Sequence, residues 1–160
     1  MTGRFSQQKG KRAEREIINL LQPIVDKIYG MYPLIGTAPI LQRNTLQSDR
    51  GGFDIVGLDW FAPEVKFQEQ LAVNSWWEQT VRQTAPHQTP VLFYRKSRQK
   101  WRVVMKLYAQ TDSHNKGERF FTRAEISIDH FLIYFEYRLH SELRAKSQAM
   151  EWLPGLDTVR

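Results

Sequence analysis

Cysteine is absent from the 160 residues, which removes disulfides, thiolate zinc sites, redox motifs and cysteine nucleophiles together. Histidine is scarce: His87, His114, His130 and His140 lack the short spacing that places two zinc ligands on one helix. A metal site in this chain would therefore be built from carboxylate and carbonyl oxygens, the donors that suit hard cations. No apolar run approaches the ~18 residues of a membrane span. The polar, basic start, Met1 to Lys11, has no apolar segment behind it, so secretion is disfavoured and a cytoplasmic location is expected, in a prokaryote or as a phage protein in its host.

Acid is missing from one long stretch. Between Glu78 and Asp112 there is none, whereas Arg82, Arg95, Lys96, Arg98, Lys100, Arg102 and Lys106 all fall there. A second basic cluster, Arg4, Lys9, Lys11, Arg12 and Arg15, lies near the start, and the net charge is +6. One basic run is as readily a solvated surface; two runs point to a polyanion. No basic amphipathic helix with a broad aromatic face accompanies them, so nucleic acid is favoured over membrane. A hydrophobic content of 41% with 12% aromatic residues supports a folded, soluble chain, and the length suits one domain with a real core.

Ala13, Ile17, Leu20, Leu21 and Ile24 recur at helical steps and predict a helix over 8–22, which Pro23 then bends or restarts. Gly30, Pro33 and Gly36 mark a loop before a short strand at Ile40–Arg43. Phe53–Leu58 and Pro63–Phe67 read as two strands of a hairpin. Val73–Thr84 reads as a helix with Ser75 as N-cap and Pro86 as stop. Val91–Tyr94 and Arg102–Tyr108 follow as strands around a basic turn, giving the order α, β, β, β, α, β, β. Asp112–Gly117 reads as a loop. Periodicity leaves Ile126–Tyr137 open between strand and helix, and His140–Trp152 reads as a terminal helix ended by Pro154 and Gly155.

The sharpest local feature is Gly52-Phe53-Asp54-Ile55-Val56, with Glu64-Val65-Lys66 beginning ten residues after the aspartate. If the two runs neighbour each other, both acids converge on one end of a sheet, and period two puts Glu64 and Lys66 on one face. Charges so placed are costly unless paired or metal-bound. The chemical reading is that Asp54, Glu64 and the Val65 carbonyl hold Mg²⁺ or Mn²⁺. Lys66 would orient or deprotonate water, or neutralise the phosphate. The plain alternative is a surface Glu–Lys pair on an exposed hairpin. Glu14 falls at the edge of the first helix's apolar face, where an inward carboxylate joins the same site, while Lys11 and Arg15 face outward toward phosphates. Glu14 and Glu16 also simply suit the first half of a helix through its dipole.

The run Lys9 to Leu21, then Arg43, Phe53-Asp54-Ile55-Val56 and Glu64-Val65-Lys66, resembles the archaeal-type Holliday-junction resolvases of the PD-(D/E)XK nuclease superfamily over roughly Lys9 to Tyr94. Phe53 stands where the superfamily's PD pair has proline. The resemblance implies an α/β, restriction-endonuclease-like core with a central mixed sheet flanked by helices, placed here over 1–108; residues 109–160, which the minimal resolvases lack, are expected as a C-terminal extension packed on the same domain. It implies Glu14, Asp54, Glu64 and Lys66 as the catalytic set, Arg15 and Arg43 as DNA contacts beside Lys9, Lys11 and Arg12, a divalent metal, and a homodimer cutting branched DNA. A related nuclease of this fold acting on linear or flap DNA, and a catalytically silent DNA-binding module, are the competing readings. A glutamine on the helix after Lys66, Gln79 or Gln83, is a weaker site candidate by the same resemblance. Ser48 and Asp49 read as a turn or as a loop near the scissile phosphate. Trp76, Trp77, Phe131, Tyr134 and Phe135 are more aromatics than the core requires, and supply a dimer interface; one of the two tryptophans is expected in the core.

Overall fold

The computed structural model describes residues 2–45, 52–110 and 119–151, with side chains over 7–45, 52–108 and 120–150. Ser48, Asp49, the Asp112–Gly117 loop, the Pro154–Gly155 stop and the side chain of Arg4 lie outside the described residues.

Helix α1 (Thr2–Gly30) buries Ala13, Ile17, Leu21, Val25 and Ile28, a stripe at steps of four and three. Leu20 and Ile24, expected in that stripe, pack at its margin. Pro23 neither bends the chain into a new element nor ends the helix. It sits on the solvent face together with Asn19 one turn earlier, so the carbonyl that loses its N–H partner lies on the wet side.

A 3-10 turn (Pro33–Ile35) leads to β1 (Gln42–Arg43), which pairs antiparallel with β2 (Ile55–Val56). The expected hairpin between β2 and the next strand, β3 (Phe61–Phe67), is therefore not formed: β2 gives its ladder to β1. Its link to β3 runs through Asp54, whose N–H donates to the Pro63 carbonyl at 2.8 Å. Gly57 ends β2 at φ +135°, and a Cβ there would stand 2.9 Å from the Leu41 side chain and 3.2 Å from the Ile40 carbonyl. A side chain would push β1 off β2.

Helix α2 (Val73–Gln83) carries the chain from β3 to the parallel strand β4 (Thr89–Arg95). Ser75 is not its N-cap: the helix starts after Ala72, to whose carbonyl Ser75 Oγ donates. Strands β5 (Arg102–Gln110) and β6 (Arg119–Ser127) then add antiparallel, giving the order β3-β4-β5-β6. The Ile126–Tyr137 segment divides at Ser127, where β6 ends and helix α3 (Ile128–Glu151) begins. The His130 N–H donates to Ser127 Oγ at 3.2 Å, which is N-cap geometry. The expected terminal helix is thus the second half of α3.

The fold is α/β: a mixed four-stranded sheet flanked by helices on both faces. The alternation of β3–β5 sorts the two sides. Val65, Phe93, Val103 and Met105 face α1 and α3, where Phe131, Phe135, Leu139 and Leu143 complete the main core. Glu64 and Lys66 share the opposite face with Leu92, Tyr94 and Val104, and Trp77 of α2 packs on the last three. The aromatic surplus expected at a dimer interface is largely core. Phe131, Phe135 and Trp77 are buried, and Tyr134 packs against Phe131. Among the described residues no helix is long and apolar enough to cross a membrane.

Candidate active site

The sequence places Asp54 at the start of β2, where three bonds fix the backbone around it. Its N–H donates to Pro63, its carbonyl accepts from the Asn44 N–H at 2.8 Å, and the Asn44 side-chain amide donates to the Phe53 carbonyl at 2.9 Å. Asn44 was not singled out in the sequence, where nothing but its position after Arg43 distinguishes it. With the backbone so held, the buried Asp54 carboxylate turns toward β3, and the Val65 N–H donates to its Oδ2 at 2.6 Å. A strand residue's N–H and C=O leave the backbone on the same edge, so the Val65 carbonyl also faces the side that carries Asp54.

Glu64 is 2% exposed. Its Oε1 accepts from Lys66 Nζ at 2.5 Å, while its Oε2 is buried without a hydrogen-bond partner among the described residues. Such an orphaned carboxylate oxygen is costly. Burial pushes the Glu64 carboxyl above the ordinary value of 4.5, and the Asp54 charge pushes it further, against Lys66. Glu14 of α1 is raised too, by burial first, opposed by its bond from Arg43, with Asp54 again adding repulsion. Asp54 is thus within electrostatic reach of both glutamates.

Glu14, Asp54 and Glu64 therefore lie within electrostatic reach of one another, Lys66 pairs with Glu64, and the Val65 carbonyl faces the side of Asp54. Arg43 is spent on Glu14, to which its Nε donates. Lys11 lies close enough to lower the Glu14 carboxyl. Lys11, Arg12 and Arg15 are exposed on α1. Lys9 is engaged instead: it pairs with Glu69 at 2.6 Å and lies 4.0 Å over the Phe67 ring. Ser97 donates to the same Glu69 carboxylate, tying α1 to the β4–β5 turn, and these partners hold Glu69 down to about 2. Neither Glu69 nor Ser97 stood out in the sequence. Glu16 pairs with Arg95 at 2.6 Å. Gln79 and Gln83 lie half-buried on α2.

Among the described residues no three acidic or histidine side chains form a ready-made metal cage. Two carboxylates, one with a partnerless oxygen, and a main-chain carbonyl do fit a hard cation that keeps its other positions for water and phosphate.

The raised carboxyls have a consequence for the metal-free protein. A folded-state value above the unfolded one means these two groups bind more protons in the fold, so their contribution to stability is greatest below about 4.5 and falls as pH rises through the folded values. Glu64→Gln removes that burden. In chelator its melting temperature should exceed that of the wild type by a margin that widens as pH rises above about 4.5. A constant margin, measured by calorimetry across that range, would show that the carboxyl is not destabilised.

No curated protein matches the sequence. Among solved structures the chain is similar to Hjc, a Holliday junction resolvase from Archaeoglobus fulgidus, at 17% identity over 78% of this chain and 95% of that one, with a TM-score of 0.43. A family model described as phage putative PDDEXK endonuclease matches residues 5–142. The two acids and the lysine stand in the order that family's name spells, and the chain belongs to this family of nucleases.

Proposed function

We propose that the protein is a metal-dependent, structure-specific DNA endonuclease that hydrolyses phosphodiester bonds, with four-way junctions as its preferred substrate. The observation that carries the reading is the buried Asp54–Glu64 pair beside Lys66, with one glutamate oxygen lacking a partner. Mg²⁺ or Mn²⁺ held there by Asp54, Glu64 and the Val65 carbonyl would supply Lewis-acid polarisation of the phosphate and a more acidic water. The Val65 N–H fixes the direction of the Asp54 carboxylate, and Lys66 places a cation where a phosphate or attacking water would sit. Glu14 adds a carboxyl poised to accept a proton, steadied by Arg43.

The resemblance of the Lys9–Lys66 motifs to archaeal-type resolvases supports branched DNA over linear duplex, and a two-fold substrate asks for a homodimer with one site per copy. The same chemistry on linear or flap DNA is the second reading. Action in the cytoplasm of a prokaryote, or of a phage-infected host, completes the proposal. Labelled four-way, flap and linear DNA should separate these readings, with symmetric paired nicks on the junction in Mg²⁺ and none in excess chelator. Undiminished cutting in chelator sinks the mechanism, and equal rates on linear duplex sink the junction preference.

Binding should be steeply salt-dependent. If Lys11, Arg12 and Arg15 on α1 and Lys96, Arg98 and Lys100 in the β4–β5 turn touch phosphates, the log–log slope is roughly −5. Replacing the first three with alanine should shallow it by about 3 units. The unfolding temperature should stay unchanged, because these side chains are exposed and make no ion pair among the described residues.

A further inference from the structure

The β4–β5 ladder ends at Val91–Met105, but the β5–β6 ladder continues through Lys106–Arg123 and Tyr108–Phe121 to Gln110–Arg119. Five residues on each strand thus run on as a ribbon, roughly 17 Å long at ~3.4 Å per residue. Facing residues of a ladder share one side, so Lys106, Arg123, Tyr108 and Phe121 lie together on the face that carries Val104, and hence Glu64 and Lys66. Tyr108 is 68% and Phe121 60% exposed, and their rings meet at 3.9 Å. Contact between two strand aromatics accounts for their pairing. It does not account for leaving both outer faces in water.

The adjoining rung is cationic. Lys106 and Arg123 are exposed, neither makes an ion pair among the described residues, and Arg123 only donates to Asn74 of α2 at 2.8 Å. An aromatic rung beside a cationic one is the chemistry that takes a base on a π-face and its phosphate on a charge. A second copy docked on this face about a two-fold axis would add like charges to the contact, which disfavours it.

We infer that the β5–β6 ribbon is a DNA-contact arm: Tyr108 and Phe121 stack on base faces exposed at a branch point or gap, and Lys106 and Arg123 hold the flanking phosphates. The inference rests on the nuclease reading and names what in the substrate is recognised.

The test is binding by anisotropy in chelator, so that no strand is cut, with four-way, gapped and intact linear DNA. Tyr108→Ala and Phe121→Ala should each weaken junction and gapped binding roughly tenfold and intact duplex less than twofold. Tyr108→Leu and Phe121→Leu, which keep an apolar strand residue, should show the same selective loss, and 2-aminopurine at the branch should lose the quenching that the wild type imposes. Lys106→Ala should weaken all three DNAs and shallow the salt slope by about 1. Wild-type binding to junctions with no selective loss in the aromatic variants overturns the arm while leaving the nuclease reading intact. Failure of the wild type to bind or cut any DNA overturns both. Conversion of a dimer to a monomer by the leucine variants assigns the ribbon to a contact between copies and also overturns the arm.

Discussion

Glu64→Gln and Asp54→Asn are each expected to lower turnover on the order of 10³-fold, about 4 kcal/mol of transition-state stabilisation, while DNA binding in chelator stays within about twofold. Both side chains are buried and lie within electrostatic reach of each other, so in the proposed site their charge would serve a cation more than the phosphate backbone. The amides preserve shape. In Asp54→Asn the side-chain amide would still offer an oxygen to the Val65 N–H, and Glu64→Gln would relieve the repulsion that raises the glutamate, so a folding defect is not the source of the loss. Thermal stability measured beside single-turnover rates separates these effects. Mg²⁺ should raise the melting temperature of the wild type but of neither variant. Lys66→Ala should retain that metal-dependent shift and lose rate. A variant of Asp54 or Glu64 that cuts at near wild-type speed would move the chemistry elsewhere.

What the sequence made legible follows from which signals are local. Period two put Glu64 and Lys66 on one face, and their 2.5 Å pair follows directly from that alternation. Helical steps put Glu14 at the margin of the buried stripe. Pairing between elements is not local. The pattern of Phe53–Leu58 suits a strand beside either β1 or β3, and nothing in it says that β1, two residues long, takes the ladder. The Glu14–Arg43 pair depends on that choice, because β1 carries Arg43 to α1. Pro23 misleads for a different reason: the carbonyl a proline strands costs less where water can reach it, and exposure is not written in the local sequence. One boundary was available and missed. Ser127 followed by Asp129 is a helix start, and it divides the continuous apolar run that periodicity could not resolve.

Phe131→Ala is expected to cost about 3–5 kcal/mol, a large share of the ~5–15 kcal/mol that holds a typical domain together. The ring is 0% exposed and meets Phe61 of β3, Phe93 of β4 and Phe135 one turn along α3, with the Phe93 contact an edge-on approach at 4.9 Å. Removing it opens a cavity between helix and sheet whose walls are large, rigid rings with little freedom to collapse inward. Tyr137, on the same helix but 74% exposed, should cost no more than about 0.5 kcal/mol as alanine. Equilibrium urea unfolding of the two variants reads the contrast. A loss under about 1 kcal/mol for Phe131→Ala, accompanied by a change in sedimentation, would return the ring to an interface between copies. The expected result instead makes α3 a wall of the main core. Since Phe131, Phe135, Leu139 and Leu143 all enter the cluster built on α1 and the sheet, we propose that a chain cut after Tyr108 would leave that cluster open to water and would not unfold cooperatively. The residues after β5 would then be needed to hold α1, and with it Glu14, against the strand that carries Glu64.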